Sequence, residues 1–182
     1  MQFLDNVFDK KFSDEVAHEL KDIAWKPGNV ANRVSWPYGY RGSHLLLGAN
    51  FFRIIDSNKI IYNQDIELSF KLIDAFNVIA DSFNRNISLR EISANLQFKE
   101  MNGSLHTDGN QNQFAYIYML ANDYLPSDVG GEFYNDTTKE SVPFVHGRLI
   151  EIQANDLHCG KAFNVSRLGR YSIKFLGEIV NG

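Results

Sequence analysis

Apolar positions recur at helical spacing twice in the first half of the chain. In residues 13–24, SDEVAHELKDIA, Val16, Leu20 and Ile23 share one face, with Ser13 as the expected N-cap and acids in the first turn. Residues 65–84 give the stronger pattern. Leu68, Leu72, Ile73, Phe76, Ile79, Ala80 and Phe83 form an apolar stripe, and Asn63 or Asp65 is placed to cap it. Between the two lies a stretch, 26–52, rich in Gly, Asn and aromatic residues, including Trp36, Tyr38, Tyr40, Arg41 and His44. It reads as loops with one or two short strands, which either cover the core or line a substrate entrance.

Near residue 88 the chain changes character. Strands are expected at 90–99, 113–120, 131–135, 142–145, 148–153, 157–162 and 169–179. Turn signals separate them, among them Asn102-Gly103, Asp108-Gly109, Gly130-Gly131 and Asn155-Asp156. Many short strands behind two helices predict an α+β fold, a double-stranded β-helix (jelly roll) buttressed by N-terminal helices. The 182 residues suffice for one sizeable core. Residues 1–182 therefore read as one domain, with 1–87 as a helical and loop support region and 88–182 as the barrel.

Composition narrows the setting. A formal net charge of −4 gives little counterion release on nucleic acid and argues against DNA or RNA as a tightly held partner. The only cysteine, Cys159, precludes an internal disulfide and fits a reducing compartment. No apolar run approaches the roughly 20 residues that span a bilayer. The opening Met-Gln-Phe-Leu-Asp lacks the basic and apolar regions of a signal peptide, so the expected location is the cytoplasm.

The chemistry sits in His106-Thr107-Asp108 and, fifty positions later, His158. In an extended segment residues i and i+2 point the same way, so His106 and Asp108 can chelate one ion, with His158 arriving from a neighbouring strand. Two imidazoles and one carboxylate on one side of an ion make a facial triad, which leaves three positions open and suits iron(II). His-x-Asp alone recurs by chance. The remaining elements give it weight. In Arg170-Tyr171-Ser172-Ile173-Lys174-Phe175, alternation puts Arg170 and Ser172 on one face. A guanidinium pointing into a barrel needs an anionic partner, and a dicarboxylate supplies one through two parallel hydrogen bonds.

The order HTD, GGEF (130–133), GRLIEI (147–152), His158 and RYSIKF resembles the 2-oxoglutarate/iron(II) dioxygenase superfamily. It looks closest to the prolyl hydroxylase-like branch, including the compact members typical of phages and cyanobacteria. The resemblance covers roughly 90–179. It implies that His106, Asp108 and His158 ligate iron(II), and that Arg170, assisted by Ser172, holds the distal carboxylate of 2-oxoglutarate. It also implies a hydroxylase that consumes dioxygen and 2-oxoglutarate and yields succinate. In the family a tyrosine on the strand after HxD often reaches the same carboxylate. Tyr116 and Tyr118 share a face and either can serve, whereas superposing the family's YYLN-like segment puts Met119 there. Asn95 and Gln97, on the strand leading to His106, offer amides to a metal-bound group or the co-substrate.

Substrates implied by the resemblance run from a prolyl residue in a peptide or protein to a free amino acid, another small metabolite or a nucleobase. The rival from another class is a non-catalytic jelly-roll binding module, which would need neither the triad nor Arg170. Several residues carry less. Arg167, in the turn-like SRLG, competes with Arg170. His146 reads as a solvent-exposed turn residue, His18 and His44 lack partners at a recognisable spacing, and Cys159 alternates away from His158. Gly130-Gly131 reads as a turn entering a strand.

Overall fold

Alternation along the last strand sets the plan of the fold. In β11 (Arg170–Ile179), Tyr171, Ile173 and Phe175 enter an apolar core, while Arg170, Ser172 and Lys174 line a polar cavity on the other face. The computed structural model describes residues 1–27, 45–55, 59–62, 66–121 and 125–180. Trp36, Tyr38, Tyr40, Arg41 and His44, and the cap candidates Asn63 and Asp65, lie outside the described residues.

Two helices and eleven strands occur among the described residues. The major sheet has the order β1 (Gln2–Leu4), β9 (Leu149–Gln153), β6 (Gln113–Ala121), β11, β5 (Ile87–Gln97), β3 (Leu47–Ile55), β2 (Lys26–Pro27), with β4 (Lys59–Tyr62) paired to β3. The minor sheet runs β10 (His158–Gly160), β7 (Phe133–Asn135), β8 (Glu140–Val142). Every pairing is antiparallel. The result is a mostly antiparallel, jelly-roll-like β structure with two helices.

The helices cover the outer face of the major sheet. Val16 of α1 (Lys10–Glu19), its C-cap Leu20, and Leu68, Leu72, Phe76 and Ile79 of α2 (Ile66–Ser82) pack with Phe51, Ile92, Tyr116, Ile173 and Phe175. Each such side chain, fully buried, contributes about 1.5–3 kcal/mol. A second apolar cluster lies between the sheets, from Ala115, Ile117, Met119, Ile150 and Ile152 on one side to Phe133 and Val142 on the other. No described helix is long and apolar enough to cross a membrane.

α1 differs from its sequence expectation at the N-terminus. The cap is Asp9, whose carboxylate accepts from the Phe12 N–H at 2.7 Å, so the helix starts a turn earlier. Its first turn carries no acid. Ser13 is buried instead, with its hydroxyl 2.6 Å from that of Tyr118. The first half also gives more strand than expected, since β1 and β4 join the major sheet. Both are short, and β4 (KIIY) alternates too briefly to be read from its pattern.

A bulge in β3 matters for the cavity. Asn50 pairs with Ser93 and Arg53 with Glu91, although three positions separate Asn50 from Arg53. The extra residue between Asn50 and Phe52 resets the alternation. Phe51 and Phe52 both enter the helix-side core, and Asn50 and Arg53 both reach the polar face.

Candidate metal centre

His106 and His158 sit directly opposite each other. The His106 N–H donates to His158 O at 3.0 Å, and the His158 N–H donates to His106 O at 2.9 Å. Directly opposed residues share a face, so the rings lie side by side, with centroids 4.5 Å apart. Each ring makes the same local bond. Nδ1 of His106 is 2.8 Å from Ser104 O, and Nδ1 of His158 is 2.8 Å from Asp156 O. A carbonyl only accepts, so Nδ1 carries the proton and Nε2 of the neutral ring keeps its lone pair. Metal-binding histidines are oriented in this way. Phe133 stacks on His158 at 5.2 Å, and Asn135 holds Asp156 through a 2.9 Å bond from its amide.

Asp108 completes the group. Its backbone N–H donates to Ala154 O at 2.8 Å, which fixes the chain just after His106. Oδ2 lies 3.2 Å from Nε2 of His158, and Oδ1 lies 3.9 Å from Nε2 of His106. One ligand atom from each residue falls within 4.8 Å of the others. Oδ2 is buried without a hydrogen bond, because the tautomer leaves His158 Nε2 an acceptor facing an acceptor. Ligand atoms roughly 2.1 Å from one ion and at right angles stand about 3 Å apart, so a divalent cation relieves this contact. Burial pushes the Asp108 carboxyl up, but the Lys174 ammonium beside it leads the opposing pulls, and the group is held well below the usual carboxylate range.

Arg170 lies deeper in the cavity, fully buried. Its Nε donates to Gly131 O at 2.9 Å and its Nη1 to Gln97 Oε1 at 2.9 Å. Nη2 is buried with no partner, and no described carboxylate lies within ion-pair distance of the guanidinium. Burial pulls its pKa down to about 10, against opposing pulls from Glu132 and Cys159, so it stays charged at neutral pH. Two glycines make room for it. Gly131 has φ +81, and a Cβ there would meet the Phe163 ring at 2.5 Å. A Cβ at Gly160 would sit 3.2 Å from Arg170 Nη1 and 3.4 Å from Nη2. A buried guanidinium with an unused N–H and an open approach is built for an anion.

The structure brings His106, Asp108, His158, Arg170 and Ser172 around one cavity of about 280 Å³. Asn95 and Gln97 line it too, and Gln97 acts on Arg170, its amide being anchored on Met101 O and Gly160 O. Arg167 is exposed in a turn. The tyrosine assignment is corrected. Tyr116 and Tyr118 do share a face, but it is the helix-side face. Tyr116 packs against Phe76 and Phe83, and Tyr118 bonds Ser13, so neither lines the cavity. The inner face of β6 presents Ile117 and Met119 instead. His146 is corrected as well. It is half-buried, its Nδ1 accepts from the Ala121 N–H at 3.1 Å, and its Nε2 lies 3.1 Å from Asp14.

Sequence reasoning missed Lys174 and Glu91. Lys174 Nζ lies 3.2 Å from Asp108 Oδ1 and 2.9 Å from Glu91 Oε1. Burial works against its charge, but the two carboxylates raise its pKa above the ordinary lysine value. Extending the alternation of Arg170 and Ser172 by two residues reaches Lys174, so the signal was present.

No family model matches the chain, and no curated protein matches it in sequence. Solved structures do match. An oxidoreductase of the 2OG-Fe(II) oxygenase family from Burkholderia pseudomallei superposes with a TM-score of 0.73 at 14% identity, covering 99% of this chain and 86% of its own. A prolyl hydroxylase from Trichoplax adhaerens, in complex with a hypoxia inducible factor oxygen degradation domain peptide fragment, gives 0.64 at 15% identity, covering 97% and 82%. The viral collagen prolyl hydroxylase of Paramecium Bursaria Chlorella virus-1, as its 2OG complex, gives 0.60 at 12% identity, covering 98% and 96%. At these identities the likeness is one of architecture, and the chain has the fold of the 2-oxoglutarate–iron(II) oxygenases.

Proposed function

We propose that this protein is a 2-oxoglutarate- and iron(II)-dependent oxygenase that hydroxylates its substrate, with its sheets closing as a double-stranded β-helix around the site. Arg170 carries the reading: a fully buried guanidinium, with Nη2 unused, beside a His-Asp-His cluster whose tautomers suit metal binding. A non-catalytic module has no use for that combination. The histidine Nε2 atoms and one Asp108 oxygen would hold iron(II), and Arg170 with Ser172 would hold the far carboxylate of 2-oxoglutarate. The chemistry these groups supply, with dioxygen, is oxidative decarboxylation to succinate and carbon dioxide coupled to insertion of one oxygen atom into a substrate C–H bond. The chain's own tasks are positioning, charge pairing and exclusion of water.

A prolyl residue in a peptide or protein is the first substrate to test, since two neighbours are prolyl hydroxylases and one holds a peptide. A second reading, a polar small molecule such as a free amino acid, draws on the polar cavity wall of Asn50, Arg53, Glu91, Ser93 and Asn95. The single, buried Cys159 fits work in a reducing compartment such as the cytoplasm. The test is an anaerobic titration with iron(II) and then 2-oxoglutarate, following the visible metal-to-ligand charge-transfer band. The band is expected in the wild type and absent in Asp108→Ala. Folded wild-type protein with no band would return the chain to the class of binding modules. Succinate release with proline-containing peptides against free amino acids then separates the two substrate readings.

A further inference from the structure

Beyond Asp108, away from Arg170, alternating charges run outward to the rim of the cavity. Asp108 Oδ1 is 3.2 Å from Lys174 Nζ, Lys174 Nζ is 2.9 Å from Glu91 Oε1, and Glu91 Oε2 is 3.3 Å from Arg53 Nε. Side-chain exposure is 5%, 17% and 16% for the first three and 57% for Arg53, so the inner three charges are shielded and the last meets solvent.

An ammonium beside a metal-binding carboxylate repels the ion that the carboxylate is to receive. A site selected for tight metal binding alone would have an apolar or hydroxyl side chain at position 174. The geometry gives the lysine another task. A carboxylate can ligate through one oxygen or both. Lys174 occupies Oδ1, which leaves Oδ2, 3.2 Å from His158 Nε2, as the oxygen turned to the cluster. Two-oxygen ligation would fill one of the positions that co-substrate, dioxygen and substrate geometry require. Glu91 competes with Asp108 for the same ammonium and so sets how firmly Oδ1 is held.

On the reading that the cluster holds iron(II), we propose that Lys174 is a positioning residue that restricts Asp108 to one-oxygen ligation, with Glu91 moderating its grip. The two partners then have opposite effects on metal affinity. Removing the ammonium frees Oδ1 and removes a like charge from the ion. Removing the Glu91 charge leaves the ammonium to Asp108 alone.

The experiment is calorimetric titration of the metal-free full chain with cobalt(II), which is stable in air, together with the visible cobalt spectrum. Lys174→Met is expected to bind cobalt roughly tenfold more tightly than wild type, from loss of the nearby charge. Its absorption should weaken as the coordination number rises. Glu91→Gln is expected to bind several-fold more weakly, on the order of half a charge interaction at this range, and Lys174→Arg to stay near wild type. Affinity shifts of the same sign in Lys174→Met and Glu91→Gln, as a merely structural role would give, overturn the proposal. So does an unchanged spectrum in Lys174→Met. If Lys174→Met does not fold, Glu91→Gln still decides, because unchanged or tighter binding there contradicts the shared grip. A wild-type chain that takes up no cobalt overturns the iron-site reading itself and this inference with it, a result distinguishable from the others.

Discussion

Arg170→Met separates a functional arginine from a structural one, because the two make opposite predictions for stability and binding. The substitution removes two charged hydrogen bonds, to Gly131 O and Gln97 Oε1, each 2.9 Å. Hydrogen bonds to a charged group contribute about 1.5–3 kcal/mol each, so roughly 3–6 kcal/mol is lost. Against this stands the desolvation of a fully buried guanidinium with no ion-pair partner, several kcal/mol in a real protein. The two nearly cancel. The ligand-free melting temperature should therefore move by less than about 6 °C, at roughly 2–4 °C per kcal/mol for a chain of this size. Binding does not cancel. A bidentate guanidinium–carboxylate pair supplies two such bonds, and its loss should weaken 2-oxoglutarate about 10²- to 10⁴-fold.

The assay is thermal unfolding without oxygen, with a divalent metal present and 2-oxoglutarate added. At about 100 times its dissociation constant the ligand stabilises the wild type by roughly 2.7 kcal/mol, a rise of about 5–10 °C. Arg170→Met should rise by no more than about 1–2 °C at the same concentration. A melting temperature that collapses by more than about 10 °C while 2-oxoglutarate still binds would mean that the arginine serves the fold and that its unused N–H does not await the co-substrate.

The other substitutions probe what surrounds that pair. Gly160→Ala brings a Cβ to 3.2 Å from Arg170 Nη1 and 3.3 Å from Gln97 Oε1, so it should weaken 2-oxoglutarate roughly tenfold by displacing the guanidinium, with cobalt affinity unchanged. Tyr118→Phe breaks the buried bond to Ser13 and should cost about 1–3 kcal/mol of stability while leaving 2-oxoglutarate affinity intact. A raised dissociation constant there would restore the tyrosine to the co-substrate site. His146 supplies a pH test. Burial lowers its pKa below 6.5 against the opposing pull of Asp14, so in acid the unfolded chain takes up this proton before the folded chain does. Its contribution to stability is flat above about pH 6.5 and falls as the pH drops below it. The metal-free wild type should thus lose more melting temperature than His146→Gln between about pH 7 and pH 5.5, and equal losses would refute the assignment.

What could be read from the sequence divides along a physical line. Strand periodicity exposes every second residue, and β11 shows how far that goes: alternation placed Arg170 and Ser172 on one face, where the cavity lies. The same rule gave Tyr116 and Tyr118 a common face but not which one, because β6 is buried on both sides and its residues, FAYIYMLA, are apolar or aromatic throughout. Register decides it. Tyr118 pairs with Ile173 and Tyr116 with Phe175, so the tyrosines follow the apolar residues of β11 towards the helices. Asn50 and Arg53 could not be read from the sequence for another reason: three positions apart, they share a face only through a bulge, and a bulge leaves no mark in an apolar strand. Asp9 was passed over as a cap although Phe12, four residues before Val16, carries the apolar stripe back to within three residues of it; Ser13, a good capping residue that instead lies inside the helix, masked the earlier start.

On the proposed function, the cavity's charges predict that metal and co-substrate are taken up together. Its shielded lining holds two permanent cations, Arg170 and Lys174, and two anions, Asp108 and Glu91, with both imidazoles neutral when they act as ligands. Metal alone adds two positive charges to a poorly solvated space. 2-Oxoglutarate alone adds two negative charges beside Asp108. Only the pair restores neutrality, and in a low dielectric the penalty for either alone is steep. Each should therefore raise the affinity for the other by the same factor, as linkage requires. Arg170 and the cluster line one polar cavity, so the charges of a dicarboxylate spanning them would be met at both ends. That coupling needs no moving part. It would follow from alternation on β11, which sets Arg170 and Lys174 four residues apart on the same face, the one with a free Nη2 for the anion's far carboxylate and the other paired with Asp108, which would hold the metal.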